Sequence, residues 1–448
     1  MRQATTTGLL WRHSWRISTC RHPRPPPRRA PRSSGRARTA PSTETIDTNE
    51  TRLDILRLAD QCVKCGLCLP HCPTYEQARH EADSPRGRIA LIQGWLNGDL
   101  TMTDTLAEHL DGCLGCRACE SACPSLVAYG RLADGARSRR MANESAWRRF
   151  WTRRWLDALS SARIMRAVGR LASVYVRTGL ARRVESTRLI RIHVVAAHHR
   201  LLKAMAVTAR SITAHATETS DLDLFVGCSG DSAQGGAIEA TRVIGERLGL
   251  RVRIATESVC CGAMQRHNGF PEEADRAREQ CAWVHGGHPL VGVSSACVAE
   301  LREHPELIRT WEVCDYLDRL DWPTSLVLAP LARRVLVHEP CSHRRRLGGN
   351  GAVYRLLARI PDLDVLPMPD NDRCCGAAGT YLIQQPEMAA ALLEDKLTHI
   401  RDLKPDIIVT TNPGCALHLI AGVRESGLAL EVCHPVELIA RQFQNTST

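Results

Sequence analysis

Eight of the chain's twenty cysteines fall in two runs of one pattern, C-x2-C-x2-C-x3-C followed by Pro, at Cys62–Cys72 and Cys113–Cys123. Thiolates are soft metal ligands, and three of them at i, i+3 and i+6 wrap one loop around the corners of an iron–sulfur cube. The fourth stands before a proline that ends the turn, and in paired runs of this kind it ligates the cluster of the other run. The spacing therefore predicts two [4Fe–4S] clusters. One would sit on Cys62, Cys65, Cys68 and Cys123, the other on Cys113, Cys116, Cys119 and Cys72. A zinc site needs only four such ligands, which two C-x-x-C pairs would supply. The chemistry implied is one-electron transfer.

A second set of cysteines recurs further along. Cys228, Cys260, Cys261 and Cys297 are matched by Cys341, Cys374, Cys375 and Cys415, and each Cys-Cys pair is followed by glycine. Adjacent cysteines do not easily chelate one metal, but they can serve neighbouring irons, so the eight residues are candidates for a further iron–sulfur cluster. Thiol redox chemistry is an alternative, with Cys260, Cys261, Cys374 and Cys375 as catalytic candidates or as a disulfide between repeats. Burial of small apolar side chains at strand ends is a third. Cys20, Cys281, Cys314 and Cys433 fit no pattern and read as structural. His71, beside Cys72, is placed to donate a hydrogen bond to sulfur. His267, His338, His418 and His434 lie near the repeat cysteines and read either as ligands or proton relays or as structural histidines. Neither a glycine-rich nucleotide loop nor a Ser/His/Asp spacing accompanies them.

These residues need elements to hold them, and the predicted fold class is α+β multidomain. Residues 46–136 read as an α-helical two-cluster ferredoxin domain, with helical patterns between the cysteine runs. Residues 137–215 read as a basic helical connector, in which Trp151, Trp155, Leu159, Ile164, Val168, Leu171 and Tyr175 recur at helical spacing with arginines between them. Residues 221–320 and 333–440 read as two tandem α/β cysteine-rich repeats. LDLFVGC and RVLVHEPC, then HPLVGVSSAC and DIIVTTNPGC, each place an apolar run before a cysteine, with helical segments between. Such alternation implies parallel sheets. Cysteines at the C-terminal ends of parallel strands converge on one crevice.

Composition narrows the function classes. Aromatic residues make up only 4% of the chain and no base-reading motif is present, which argues against nucleic acid. The formal charge of +11 is uneven: residues 1–45 hold ten arginines and one acid, and residues 137–200 hold sixteen arginines and three acids. The first segment reads as a disordered Arg/Pro-rich extension, with a transit peptide as the alternative. The second reads as a solvated basic face or as a docking surface for anionic lipid or an acidic partner. No stretch approaches the roughly 20 apolar residues of a membrane span. The expected setting is a reducing cytoplasm, or the inner face of the cytoplasmic membrane as a peripheral protein.

Particular motifs are recognisable. Cys62-Val63-Lys64-Cys65-Gly66-Leu67-Cys68, His71-Cys72-Pro73-Thr74-Tyr75 and Ser84-Pro85-Arg86-Gly87-Arg88 are followed by Cys260-Cys261-Gly262-Ala263, His338-Glu339-Pro340-Cys341, Cys374-Cys375-Gly376-Ala377-Ala378-Gly379 and Asn412-Pro413-Gly414-Cys415. Over roughly residues 46–440 the chain resembles the iron–sulfur subunits of glycolate oxidase. It is also similar to lactate-utilisation iron–sulfur proteins and heterodisulfide reductase subunits. The resemblance implies an electron relay in a complex whose separate FAD-binding hydroxy-acid oxidase subunit oxidises glycolate to glyoxylate, with a quinone or other acceptor beyond. The alternative it leaves open is a lactate-utilisation oxidoreductase, or a heterodisulfide-reductase-like enzyme with its own Cys-Cys-Gly centre. In the heterodisulfide reductases the repeats close on C-x-x-C, whereas here the last position is Glu300 or His418.

Overall fold

The computed structural model describes residues 48–212, 220–255, 259–285 and 289–443, which belong to one compact unit. The leader 1–45, with Cys20, lies outside the described residues. Helices Thr48–Asp60, Pro85–Asn97, Asp104–Asp111 and Tyr129–Asn143 close around Ile55, Ile89, Ile92, Leu106, Leu110 and Leu132. Their ends are written locally: the Ser84 hydroxyl accepts from Gly87 N, Pro85 opens the helix, and Gly98 ends it at φ +89°. Cys62, Cys113, Cys119 and Cys123 pack against this small core, so the cysteine runs hang from its surface.

Both runs bend in the same way. The residues on either side of the second cysteine are left-handed: Lys64 and Gly66 in the first run, Gly115 and Arg117 in the second. Glycine occupies only one position of each pair, and not the same one. The loop thus imposes its path on Lys64 and Arg117, which is a cost that functional loops carry.

Four helices, Ala146–Ser160, Ala162–Arg177, Leu180–Glu185 and His193–Thr208, lead on to the first of two similar sheets. Its strands are β1 (Leu222–Phe225), β2 (Val252–Ile254), β3 (Leu290–Gly292) and β4 (Trp311–Glu312). The second sheet comprises β5 (Arg334–Val337), β6 (Asp364–Pro367), β7 (Ile407–Val409) and β8 (Glu431–Cys433). Each is wholly parallel, and the orders β2-β1-β3-β4 and β6-β5-β7-β8 are the same topology twice. One apolar core, including Leu224, Val291, Val335, Val337, Ile407 and Val409, runs through both.

The glycine of each Cys-Cys-Gly triplet has a steric reason. Gly262 (φ +84°) and Gly376 (φ +90°) turn the chain beneath helices Pro271–His285 and Pro386–Leu403. A Cβ there would stand 2.6 Å from the Ala274 carbonyl oxygen and 2.8 Å from that of Ala389. The repeats also meet through a buried charge cluster. Glu312 and His343 are fully buried, the His343 Nδ1 lies 2.9 Å from Thr411 Oγ1, and its Nε2 faces Asp315 at 3.4 Å and Glu312 at 3.9 Å. Burial pushes the His343 imidazole down, but the Glu312 and Asp315 carboxylates, with Glu339 further off, outweigh it and hold it above its ordinary value.

Two predictions follow from this architecture. Gly262→Ala should cost about 1–3 kcal/mol, and more than Gly427→Ala, where φ is also positive but nothing lies within 4 Å; chemical denaturation of the two variants checks this. A raised folded pKa makes the His343 contribution fully present below the unfolded value of 6.5 and lost as pH rises through the folded one. The thermal-midpoint gap between the native chain and His343→Gln should therefore narrow as pH rises above neutrality.

Candidate functional site: two groups of cysteines sharing one cavity

The proline after Cys72 starts a short helix, Pro73–Ala78, and this turn carries the Cys72 thiol inward. Cys72 is buried and lines one cavity with Cys113, Cys116 and Cys119, together with Arg88 and Tyr129. The last cysteine of the first run thus lies among the first three of the second. Cys123 packs with Cys62 against the apolar core and does not line that cavity. Cys65 is the exposed thiol of the eight, flanked by exposed Val63 and Leu67. His71 is exposed and is not the neighbour of the Cys72 sulfur; Thr74 Oγ1 is, at 3.3 Å.

Two buried guanidinium groups set the electrostatics here. Arg88, 1% exposed, donates to Thr74 Oγ1 (3.0 Å), the His109 carbonyl (2.6 Å) and Asp83 (3.3 Å). Arg137 donates to the Cys113 carbonyl at 2.7 Å. Burial pushes the Cys113 thiol up, but Arg88 and Arg137 outweigh it and hold it below the ordinary thiol value. At Cys116 the Ala118 N–H and the Arg345 charge do not outweigh burial and the nearby Cys341, which push it up to about 12.

The parallel strands deliver the second group. Cys228, Cys260, Cys261 and Cys297 follow β1, β2 and β3, and Cys341, Cys374, Cys375 and Cys415 follow β5, β6 and β7. All eight line one cavity of about 410 Å³ between the repeats, and Cys113 and Cys116 line it too. Every described cysteine is a free thiol. In the second repeat Cys375 Sγ lies 3.2 Å from Cys415 Sγ, and the Cys374 thiol is hydrogen-bonded with those of Cys341 and Cys375. In the first, the Cys228 and Cys261 thiols donate to Cys260 and hold it well below the ordinary thiol value. Cys281, Cys314 and Cys433 are buried among apolar side chains.

The four histidines separate. His338 is buried with its Nδ1 3.0 Å from Thr410 Oγ1, and one of its ring nitrogens lies within 4.8 Å of the Cys375 and Cys415 sulfurs. Burial pushes it down to about 3, so it is neutral. His418 is turned away, with Nε2 3.1 Å from the Ala389 carbonyl. His434 caps helix Pro435–Arg441, and His267 pairs with Asp134 at 3.0 Å.

Sequence reading quoted Arg88 only within the Ser84–Arg88 motif, without a role, and missed Lys396. Lys396 is 1% exposed and donates to the Asp370 carbonyl. Burial pushes its ammonium down, while the Cys375 thiol and Asp370 act the other way. A signal existed: Lys396 falls on the apolar stripe of Leu392, Leu393, Leu397 and Ile400. On the connector, Trp147, Phe150 and Trp151 are exposed and form an edge-to-face cluster beside exposed arginines. Among the described residues, no helix is long and apolar enough to cross a membrane.

Known proteins are similar to this chain in sequence. A 4Fe-4S dicluster domain family matches residues 58–127, and a cysteine-rich domain family matches residues 222–302 and 335–420. The chain is 29% identical over 423 residues to the glycolate oxidase iron-sulfur subunit of Escherichia coli (strain K12), covering 90% of this chain and 98% of that protein. It is 30% identical over 403 residues to a probable glycolate oxidase iron-sulfur subunit of Bacillus subtilis (strain 168), covering 83% and 90%. Lactate utilization protein A of Oceanobacillus iheyensis is 26% identical over 234 residues, covering 49% of this chain and 96% of that protein.

Removing the Arg88 charge leaves Asp83 without its buried partner. Arg88→Met should therefore lower stability by about 3 kcal/mol, read by chemical denaturation, and should also raise the Cys113 thiol pKa, read by alkylation rate against pH on the cluster-free chain.

Proposed function

The chain belongs to the family of glycolate oxidase iron–sulfur subunits, and on that premise we propose that it is the electron-transfer subunit of a complex in which an FAD-bearing partner oxidises glycolate to glyoxylate. Cys62, Cys65, Cys68 and Cys123 would hold one [4Fe–4S] cluster, and Cys113, Cys116, Cys119 and Cys72 the other. When bound, such clusters accept and release electrons singly. That property matches a flavin donor, which is reoxidised one electron at a time.

The observation that carries this reading is the shared cavity: Cys113 and Cys116 line it together with all eight repeat cysteines. Arg345 spans the same junction, from the Cys116 carbonyl (3.5 Å) to the Asp372 carbonyl. The exposed Cys65 loop suits the face turned towards another redox protein. The terminal acceptor would be a quinone or another carrier. The exposed Trp147, Phe150 and Trp151 beside arginines support peripheral contact with an anionic membrane surface. A second reading is favoured by the cavity itself: eight free thiols around about 410 Å³ offer ligands and space for a further metal centre in the repeats.

Anaerobic preparations test both readings. About eight irons per chain are expected from two cubanes, and a higher count assigns metal to the repeats. Glycolate should bleach the visible absorption of the chain only when the flavoprotein is present; bleaching by lactate but not glycolate would overturn the substrate. Cys72→Ser should disturb the electron paramagnetic resonance signal of the Cys113–Cys119 centre, and an untouched signal would show the crossed ligation to be wrong.

A further inference from the structure

We propose that His338 supplies an imidazole ligand to a metal centre in the second repeat, beside the thiolates of Cys375 and Cys415. The inference rests on the reading that this repeat holds metal, and it adds a ligand that the cysteine pattern does not contain. His338 directly follows β5, and its backbone N–H continues the ladder to the Val409 carbonyl at 2.9 Å. The residue therefore stands at the same sheet edge that delivers the cysteines. A ring nitrogen and the two sulfurs lie within 4.8 Å of one another, and all three residues are buried. The Thr410 hydroxyl, 3.0 Å from Nδ1, holds the ring in place. Thiolate sulfur with imidazole nitrogen suits iron or zinc.

Lys396 is buried near the same place. An ammonium buried to 1% exposure needs negative charge nearby, and Asp370 supplies part of it. Cys375 and Cys374 are among the groups whose charge acts on it, and metal-bound thiolates would keep that charge permanently. The first repeat lacks both features. The place of His338, three residues before the strand-end cysteine, is taken there by Phe225, and the place of Lys396, ten residues after the helix-opening proline, by Cys281. His418, which takes the closing position of the motif, is turned to the Ala389 carbonyl and does not compete for the role.

The test uses the full chain, purified anaerobically with its clusters and labelled with 15N-histidine. Metal analysis comes first: iron beyond about eight per chain, or zinc, is expected. Nitrogen in that centre is then read by pulsed electron paramagnetic resonance if it is iron, or by zinc-edge X-ray absorption if it is zinc. The native chain and His418→Gln should show the nitrogen signal. His338→Cys should keep the metal and lose the signal, and His338→Ala should lose metal to a chelator at least about tenfold faster. Extra metal without coordinated nitrogen, or a nitrogen signal that survives in His338→Cys, overturns the proposal while leaving a metal-binding repeat intact. No metal beyond the ferredoxin complement removes the underlying reading itself.

Discussion

The structure depends on bringing uncrosslinked thiols from distant segments into one small space. Parallel strands solve this geometrically, because all their C-terminal ends lie on one edge, and six of the eight strands are arranged to deliver repeat cysteines there. The glycines at 262 and 376 are part of the same solution. They let the chain double back beneath a helix directly after the cysteine pair, at a distance no side chain would allow. The cavity persists because the apolar core runs through both sheets and holds them at fixed separation.

Buried thiols also pose an electrostatic problem. Burial alone drives them towards the neutral form, as with Cys116. Where the fold favours thiolate at Cys113, it places cations: Arg88 and Arg137. These cations are themselves costly to bury, so their presence marks the places where negative charge is meant to reside. The first repeat uses donation between thiols at Cys260 rather than a buried lysine. Two repeats of one topology thus offer different chemistry at equivalent edges.

The ferredoxin part and the repeats are joined where their cysteines meet. Tyr381 Oη donates to the Gly112 carbonyl at 3.2 Å, immediately before Cys113, and Arg345 reaches the Cys116 carbonyl. The junction is therefore pinned just before the second cysteine run and again within it. A rigid junction of this kind suits electron transfer, whose rate falls steeply with separation and gains nothing from motion.

The sequence by itself determined the fold class, the tandem repeat and the two groups of eight cysteines, because metal-type spacing and strand-end placement are local patterns. The dicluster and cysteine-rich families fall on those same segments. Only the tertiary structure decided which residues share a site. Spacing grouped Cys72 with the Cys113 loop, but it did not reveal that Cys113 and Cys116 open on the repeat cavity, or that His338 rather than His418 lies beside Cys375 and Cys415. It suggested His71 for the Cys72 sulfur, where packing supplies Thr74. The physical reason is the same throughout: ligand spacing is set within a loop, whereas the partners of a buried charge or lone pair come from whichever elements the core brings against it.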